Sequence, residues 1–589
     1  MKILSQDLSV LFSEAVLKAF PSLTPDEVLK AVTIEEPRDS KNGDFATGLA
    51  MRISKHLGQT PETVAKAVIE VFPKDYRIGS LEFAMPGFIN IRLSTTFLQE
   101  TLKQLESGFS VERDHDVTAE DSRPIIVEYS STNAAKHMGV HHIITTILGD
   151  ALANIVEFMG EEVIRINHLG DWGTHFGKLI YAIENWGDKK EIEKSPNDEL
   201  TRLYVKFHDE LEKHPELEEE ARKIFKALEE GDELRLSLWQ WIVEESMKDL
   251  QKIFTRLGVE FDHITGESFY LKMTDEVIED GLKKGVFVEG EGGSLIAEMG
   301  EDKTPALIRK SDGTTLYLTR DLATIKYRLG AFHPKAILYV VDHAQSLHFQ
   351  QDFAVAKMLG YDQEASVSER GALKCTLEHI SFGRMNFAGM AMSTRKGNVI
   401  KLTDMLDEAV KRAGSLAGEK GSELPREELY AMAEVIGTAS VKYAILSQDR
   451  NKDIVFDWDK IISLEGNSAP YLLYSYARAR SILEKVNSTG PIDLSGLPVL
   501  GEEAEAVMVR KLLKLPEALD RAFNERKPHI VSTALYELCQ EFNRFYGTVP
   551  VANAKTEAEK RARLGIVQAF LFELKSGLAL LGIPVLDRM

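Results

Sequence analysis

The stretch PIIVEYSSTNAAKHMGVHHIITTILGDALANIVEFMGEEVIRINHL, residues 124 to 169, decides the fold. PIIVEYS is a short apolar run of the kind that fills a buried parallel strand. After the loop STNAAKHMG, residues Ile143, Ile144, Ile147, Leu148, Ala151, Leu152, Ile155 and Val156 recur at helical spacing and predict a helix with a broad apolar face. EVIRINHL reads as a second strand, so the order is strand, helix, strand, the unit of a right-handed parallel crossover. The loop before the helix lies where backbone N–H groups and the helix dipole favour anions. His137, His141 and His142 crowd that point and could donate to phosphate oxygens. The spacing of His137 and His141 would also suit a metal, but no Cys or nearby Glu completes a zinc set, and no metal ligand is assigned. A polar helix cap is the plain structural reading of any one of them.

Outward from this unit, 589 residues are too many for one compact core and predict several domains. Residues 1 to about 110 read as a small unit, helical for seventy residues and then strand-like at SLEFAMPGFINIRLS, which Pro86 and Gly87 split. VERDHDVTAEDSR reads as a linker. Between about 180 and 265 the chain is highly charged and helical, the pattern of an inserted subdomain with a solvated surface. Strand-type segments return at FVEGEGGSLIAEM and LIRKSDGTTLYLTRD, and KAILYVV followed by SLHFQQDFAVAKMLG predicts a second strand–helix unit lengthening the same sheet. From about 400 to the end the pattern is nearly all helical.

Net charge is -21, from 71 basic and 92 acidic residues, which argues against a non-specific nucleic-acid binder but leaves room for a local positive surface. The C-terminal part is relatively basic, and Tyr471, Tyr474 and Tyr476 lie among Arg478 and Arg480, a combination suited to RNA bases and phosphates. The plainer reading, Tyr and Leu in a core with Arg outside, holds for some of them. Cys375 and Cys539 form no CxxC pair, which fits a reducing cytoplasm. The N-terminus is amphipathic rather than a signal peptide, and no apolar run reads as long enough to span a bilayer.

A second loop, GMAMSTRKGNVI at 389 to 400, sets Arg395 and Lys396 side by side between glycines and hydroxyl residues. Such a loop can place cations on a polyphosphate as charge builds on its leaving group. Together with the histidine-bearing turn, it points to chemistry at an ATP phosphate.

The chain resembles the class I aminoacyl-tRNA synthetases, specifically the arginyl-tRNA synthetase family, nearly end to end. The likeness rests on VEYSSTNAAK, GDWGTHFG, SDGTTLYLTRD, YVVDHAQSLHFQQ, MSTRKGN, APYLLYSYARARSIL and the closing LLGIPVLDRM. It implies an α/β fold with a Rossmann-like parallel-sheet catalytic domain and helical insertion, a small N-terminal α+β domain and an all-α C-terminal domain. The expected boundaries are 1–110 for a tRNA-contacting domain, 120–400 for the catalytic domain, 401–460 for a helical connecting region and 461–589 for the anticodon-binding domain. The implied reaction joins L-arginine to ATP, giving arginyl-adenylate and pyrophosphate, and then passes the arginyl group to the terminal ribose of tRNA(Arg). Mg2+ accompanies ATP, tRNA is usually bound before activation, and the family is usually monomeric and, without a transit peptide, cytoplasmic.

The resemblance carries the arginine pocket onto Glu128, Asn133, Tyr317, Asp321 and Gln345. A planar fork of guanidinium donors suits such carboxylates, hydroxyl and amides, and lysine would fill it poorly. It places Lys136, His142, His141, His137, Arg395 and Lys396 at the catalytic phosphates, Gly139, Met392, Ser393, Thr394, His348 and Gln350 around ATP, and Tyr471, Tyr474 and Arg478 on tRNA. The chain departs from the family's His-x-Gly-His signature, where Gly139, Val140, His141 and His142 stand. Either His137 folds back as the missing donor or the turn is rearranged around HMGVH. Ala391 replaces the first lysine of the general class I loop, and Lys136 is the substitute the family suggests. The alternative is a catalytically silent binder of tRNA or arginine on the same frame.

Overall fold

The structure is a computed structural model and describes residues 3–37, 39–105, 122–300, 304–368, 371–387, 401–420, 425–487, 490, 492–494, 496 and 498–589. It divides into two compact units, one comprising Met1–His115 with Leu464–Met589, the other Asp116–Ser463.

In the second unit, the expected crossover is present. Strand Ile125–Glu128 leads into helix Val140–Phe158 and returns as strand Val163–Leu169. Five strands form a parallel sheet in the order Thr376–Phe382, Ala336–Asp342, Ile125–Glu128, Val163–Leu169, His263–Gly266. The chain leaves the central strand toward one edge and later comes back on its other side. Such a reversal opens a crevice beyond the carboxyl ends of the strands, where α/β sheets bind ligands. Gly149 lets the helix seat there, since a Cβ at this position would lie 2.1 Å from the Cβ of Tyr129.

The charged stretch forms helices Thr174–Trp186, Lys189–Lys194, Pro196–Leu211, Leu217–Glu229 and Glu233–Leu257, burying Leu200, Leu203, Phe207, Ile224 and Phe254 and leaving most charges outside. FVEGEGGSLIAEM and the start of LIRKSDG give a separate antiparallel three-stranded sheet, Phe287–Glu289, Leu295–Ala297 and Ala306–Arg309. The strand reading of TLYLTRD is corrected, because Tyr317 opens the helix Tyr317–Phe332. The local alternation of TTLYLT hides the longer repeat Leu318, Leu322, Ile325, Leu329, and burial of that face decides the outcome.

Helices Leu402–Lys420 and Arg426–Leu446 pack on each other and on Val140–Phe158. Arg426–Leu446 is long and apolar enough to cross a bilayer by length and composition, against the expectation of no such run, but most of it is buried inside the unit.

In the first unit, an antiparallel sheet runs in the order Ile34–Glu35, Phe45–Thr47, Phe88–Leu93, Ile78–Ala84, with helices such as Leu4–Ala19 over it. The C-terminal segment is five helices, Ala469–Lys485, Glu503–Leu512, Lys514–Glu525, His529–Thr548 and Glu557–Leu580. Helix Thr95–Leu105 packs on two of these, Arg510 meets Asp44 at 3.2 Å, and the Lys514 ammonium lies 4.0 Å from the centre of the Phe45 ring.

Candidate functional site

The turn from Glu128 to Val140 carries three non-glycine residues in the left-handed region, Ser130, Ser131 and Ala135. Such backbone is held by its surroundings rather than chosen by the side chain. Here Ser130 N–H donates to Thr145 Oγ1 at 3.1 Å and Ala135 N–H to Ser246 Oγ at 2.7 Å. Ala134 N–H donates to the Gly170 carbonyl, and a Cβ on Gly170 would lie 2.3 Å from Asn133 Oδ1. Asn133 itself is exposed.

Gly139 caps the helix, and its N–H donates to His142 Nδ1 at 3.1 Å. That contact places the imidazole proton on Nε2. His142 is 9% exposed, and burial, with His141 and Lys136 nearby, pushes its pKa down to about 3, so the ring is a neutral donor. No acidic residue occupies the first turn of the helix. His141 is exposed, and its ring lies 3.9 Å from that of His142. Burial, against a weaker pull from Asp342, lowers its pKa. His137 turns to Asp198, 3.2 Å away, an aspartate that Lys401 also meets at 2.7 Å. Lys136 is exposed. Met392, Ser393, Thr394, Arg395 and Lys396 lie outside the described residues.

Glu128 and Asp321 come together across the crevice. With His168, Tyr339, Phe349 and Asp352 they line a cavity of about 30 Å³. Glu128 is 6% exposed, and its Oε2 lies 2.5 Å from Nη1 of Arg328, which is 0% exposed. Burial opposes the charge on Arg328, and the Glu128 carboxylate outweighs it and keeps the guanidinium protonated. Asp321 Oδ2 lies 2.7 Å from His348 Nε2, and Asp352 Oδ2 lies 3.0 Å from the same nitrogen. Hydrogen bonds to Asp321 and then Asp352 hold His348 well above the ordinary imidazole range, making it an imidazolium.

Tyr317, at the start of its helix, is 67% exposed with the Arg320 guanidinium 5.3 Å from its ring centre, and Gln345 and Gln350 are exposed. The structure therefore brings Glu128 and Asp321 to one cavity, whereas Asn133, Tyr317 and Gln345 do not line it. It adds Arg328, His168 and Asp352, which sequence reasoning missed. Asn167, His168 Nδ1 and His175 Nε2 are buried without hydrogen-bond partners among the described residues, at or beside the carboxyl end of strand Val163–Leu169. The quoted GDWGTHFG motif, residues 170 to 177, contains His175 and follows Asn167 and His168 directly, and was the available signal. Asp321, His348 and Asp352 present ligand atoms within 4.8 Å of one another, a spacing that could enclose one cation.

In the first unit, the Arg478 guanidinium lies 4.8 Å from the Tyr474 ring centre and 5.6 Å from that of Tyr546. Asn543 ties the group from behind, accepting from Arg478 Nη1 at 2.5 Å and donating to the Tyr471 hydroxyl at 3.0 Å. Tyr474, Arg478, Tyr546, Lys485, Arg588 and Met589 border a cavity of about 680 Å³, which Tyr471 does not line.

Family models match in chain order: "Arginyl tRNA synthetase N terminal domain" over residues 6–93, "tRNA synthetases class I (R), catalytic domain" over 104–458, and "DALR anticodon binding domain" over 472–589. A protein of Fusobacterium nucleatum named "Arginine--tRNA ligase" is 39% identical over 100% of both chains. One of Chloroflexus aggregans with the same name is 39% identical over 95% of both. The fold matches the crystal structure of arginyl-tRNA synthetase from Plasmodium falciparum with a TM-score of 0.85, at 24% identity and full coverage of both chains. The chain belongs to the arginyl-tRNA synthetases, class I aminoacyl-tRNA ligases that use ATP.

Proposed function

We propose that this arginine–tRNA ligase divides its first reaction between the histidine turn, which takes the ATP phosphates, and the Glu128–Asp321 cavity, which takes the guanidinium of L-arginine. The observation that carries this reading is their placement. A neutral His142 at an anion-favouring helix N-terminus and two carboxylates facing one cavity open on the same crevice.

In the first step an arginine carboxylate oxygen attacks the α-phosphorus of Mg2+-bound ATP, the bond to the β-phosphate oxygen breaks, and pyrophosphate leaves. In the second, a terminal ribose hydroxyl of tRNA(Arg) attacks the arginyl carbonyl, loses its proton, and AMP leaves. No side-chain nucleophile is needed; orientation and stabilisation of phosphate charge lower the barrier. His142 Nε2–H donates to a phosphate oxygen, while Lys136, Arg395 and Lys396 offset the charge. His141 presents a ring face against which adenine stacks, in the place where the family signature has glycine. Glu128 accepts from the guanidinium on the oxygen that Arg328 leaves available, Asp321 accepts on the other side, and Asn133, Tyr317 and Gln345 close on the bound amino acid from exposed positions. Gln350 borders the nucleotide, and His348, an expected ATP contact, is held between Asp321 and Asp352 at the arginine end of the crevice.

Tyr474 and Arg478, with Tyr471 behind them, receive unstacked tRNA bases in the C-terminal cavity. The domain limits 1–110, 120–400, 401–460 and 461–589, a monomeric state and a cytoplasmic location complete the reading. The experiment is ATP–pyrophosphate exchange with arginine, with and without tRNA, on the wild type and on His137→Ala, His141→Ala and His142→Ala. Exchange that requires tRNA and collapses in His142→Ala is expected; no exchange in the wild type would overturn the site reading in favour of a silent binder.

A further inference from the structure

Asp352 is the least expected group in the arginine cavity. It is 1% exposed, on the face of helix Ser346–Met358 that also buries Phe349, Val355 and Ala356, and its Oδ2 meets His348 Nε2 at 3.0 Å. A buried carboxylate is strongly disfavoured unless a cation compensates it. His348, one helical turn away, is that cation, and its Nε2 lies between Asp352 at 3.0 Å and Asp321 at 2.7 Å. The imidazolium therefore occupies the carboxylate that the incoming guanidinium requires.

The other charges around this cluster are paired. Glu128 faces Arg328 at 2.5 Å, and Glu267 accepts from Arg320 at 2.8 Å. His168, Thr324 and Tyr339 complete the polar lining. His348 is an imidazolium between two carboxyl groups, so the cluster can offer one net negative charge to one guanidinium. Without Asp352 it would be neutral, and arginine would bring an uncompensated positive charge into the cavity.

We propose that Asp352 is a positioning residue of the arginine site, retaining His348 when the guanidinium takes Asp321 and supplying the negative charge by which the site selects a cationic side chain. The inference rests on the assignment of this cavity to arginine. Burial raises the Asp352 pKa against the opposing pull of His348, so part of the population carries a proton that the arriving guanidinium expels. Arginine affinity then falls as pH drops through the raised Asp352 range, because protonated Asp352 must ionise before the cation is compensated.

The test is tRNA charging by the full-length enzyme, with KM for arginine, KM for ATP and kcat measured separately for wild type, Asp352→Asn and Asp352→Glu. Asp352→Asn should raise the arginine KM tenfold or more while the ATP KM and kcat stay within about threefold, the pattern of lost ground-state binding. Asp352→Glu should recover part of that loss. Calorimetry of arginine binding to the wild type near pH 7, in two buffers of different ionisation enthalpy, should show net proton release that Asp352→Asn abolishes. An unchanged arginine KM in Asp352→Asn, or no proton release from the wild type, overturns the proposal, and the second result decides even where the variant folds poorly. Loss of arginine binding after dialysis against a chelator would give the cluster to a metal ion and also overturn it. If Asp321→Asn and Glu128→Gln charge tRNA with wild-type arginine KM values, the cavity assignment itself fails; if only the Asp352 variants are silent, that assignment stands.

Discussion

Replacing His142 by Ala separates two roles that one ring performs. Its Nδ1 accepts the Gly139 N–H at 3.1 Å, and its Nε2–H is available to a phosphate. Losing the acceptor leaves a buried cap N–H without a partner, a cost of about 1–3 kcal/mol to stability. Losing a donor to developing charge costs roughly 2.7–4 kcal/mol of barrier, about a hundred- to a thousandfold in kcat. His142→Gln keeps an acceptor at a position where helices commonly use Gln to receive the cap N–H, but places its amide N–H at the same end as that acceptor. It should regain most of the stability and little of the rate. The assay is tRNA-dependent ATP–pyrophosphate exchange at saturating substrates, with thermal unfolding in parallel. The ring's pKa, about 3 against an ordinary 6.5, adds a pH signature. The unfolded chain binds more protons between these values, so the stability His142 contributes is present above pH 6.5 and declines as pH falls toward 3. Over pH 6 to 9 the exchange rate should show no break that His142→Gln removes. A kcat within threefold of wild type in His142→Ala, or a break near pH 6.5 that disappears in the variant, would refute the neutral-donor reasoning.

Arg328→Met should destabilise the Asp116–Ser463 unit by about 3–5 kcal/mol, the range for stranding one member of a buried ion pair, with part recovered in the Glu128→Gln, Arg328→Met double variant. All five tryptophans lie in that unit, so the midpoint of denaturation by tryptophan fluorescence reads it alone. His141→Gly should raise the ATP KM about two- to tenfold, from loss of an aromatic contact of about 0.5–1.5 kcal/mol, with the arginine KM unchanged. Tyr546→Ala should raise the tRNA KM by roughly five- to a hundredfold, as one lost base-stacking platform of about 1–3 kcal/mol implies, and leave exchange at saturating tRNA near wild type; an unchanged tRNA KM would remove the C-terminal cavity from tRNA binding.

The three inner strands of the parallel sheet were legible because they are largely apolar runs joined to helices with long apolar repeats, whereas the edge strands His263–Gly266 and Thr376–Phe382, covered less and mixed in polarity, carry no such run and were not read. TLYLTRD failed because a short alternation outweighed a longer repeat whose burial only the fold supplies. The cavity proposed for arginine was half legible. Glu128 and Asp321 sit in quotable motifs, whereas Arg328 and Asp352 read as isolated charges on apolar helix faces. Their meaning comes from partners on other elements, Glu128 being two hundred residues before Arg328 and Asp321 thirty-one before Asp352. No residue-type pattern announces the left-handed backbone at Ser130, Ser131 and Ala135, since none is glycine.

The altered signature is where sequence and structure inform each other most. Read as a string, Gly139-Val140-His141-His142 has lost its first histidine and gained a ring where the family has none. In the fold, the first of these positions is a helix cap whose N–H is taken by His142, and the last is a buried neutral donor held by that same bond. His137 turns toward Asp198 and Lys401, so the first of the two rescues, a histidine folding back beside His142, is the less economical. The ring of His141 packs on His142 at 3.9 Å without entering the buried space behind it. The turn keeps an anion-favouring helix end and one fixed donor, which are the features phosphate chemistry requires of it. At the phosphates the variant motif then depends on His142 among the three histidines, with His141 acting on ATP binding, and that division is what the alanine series measures.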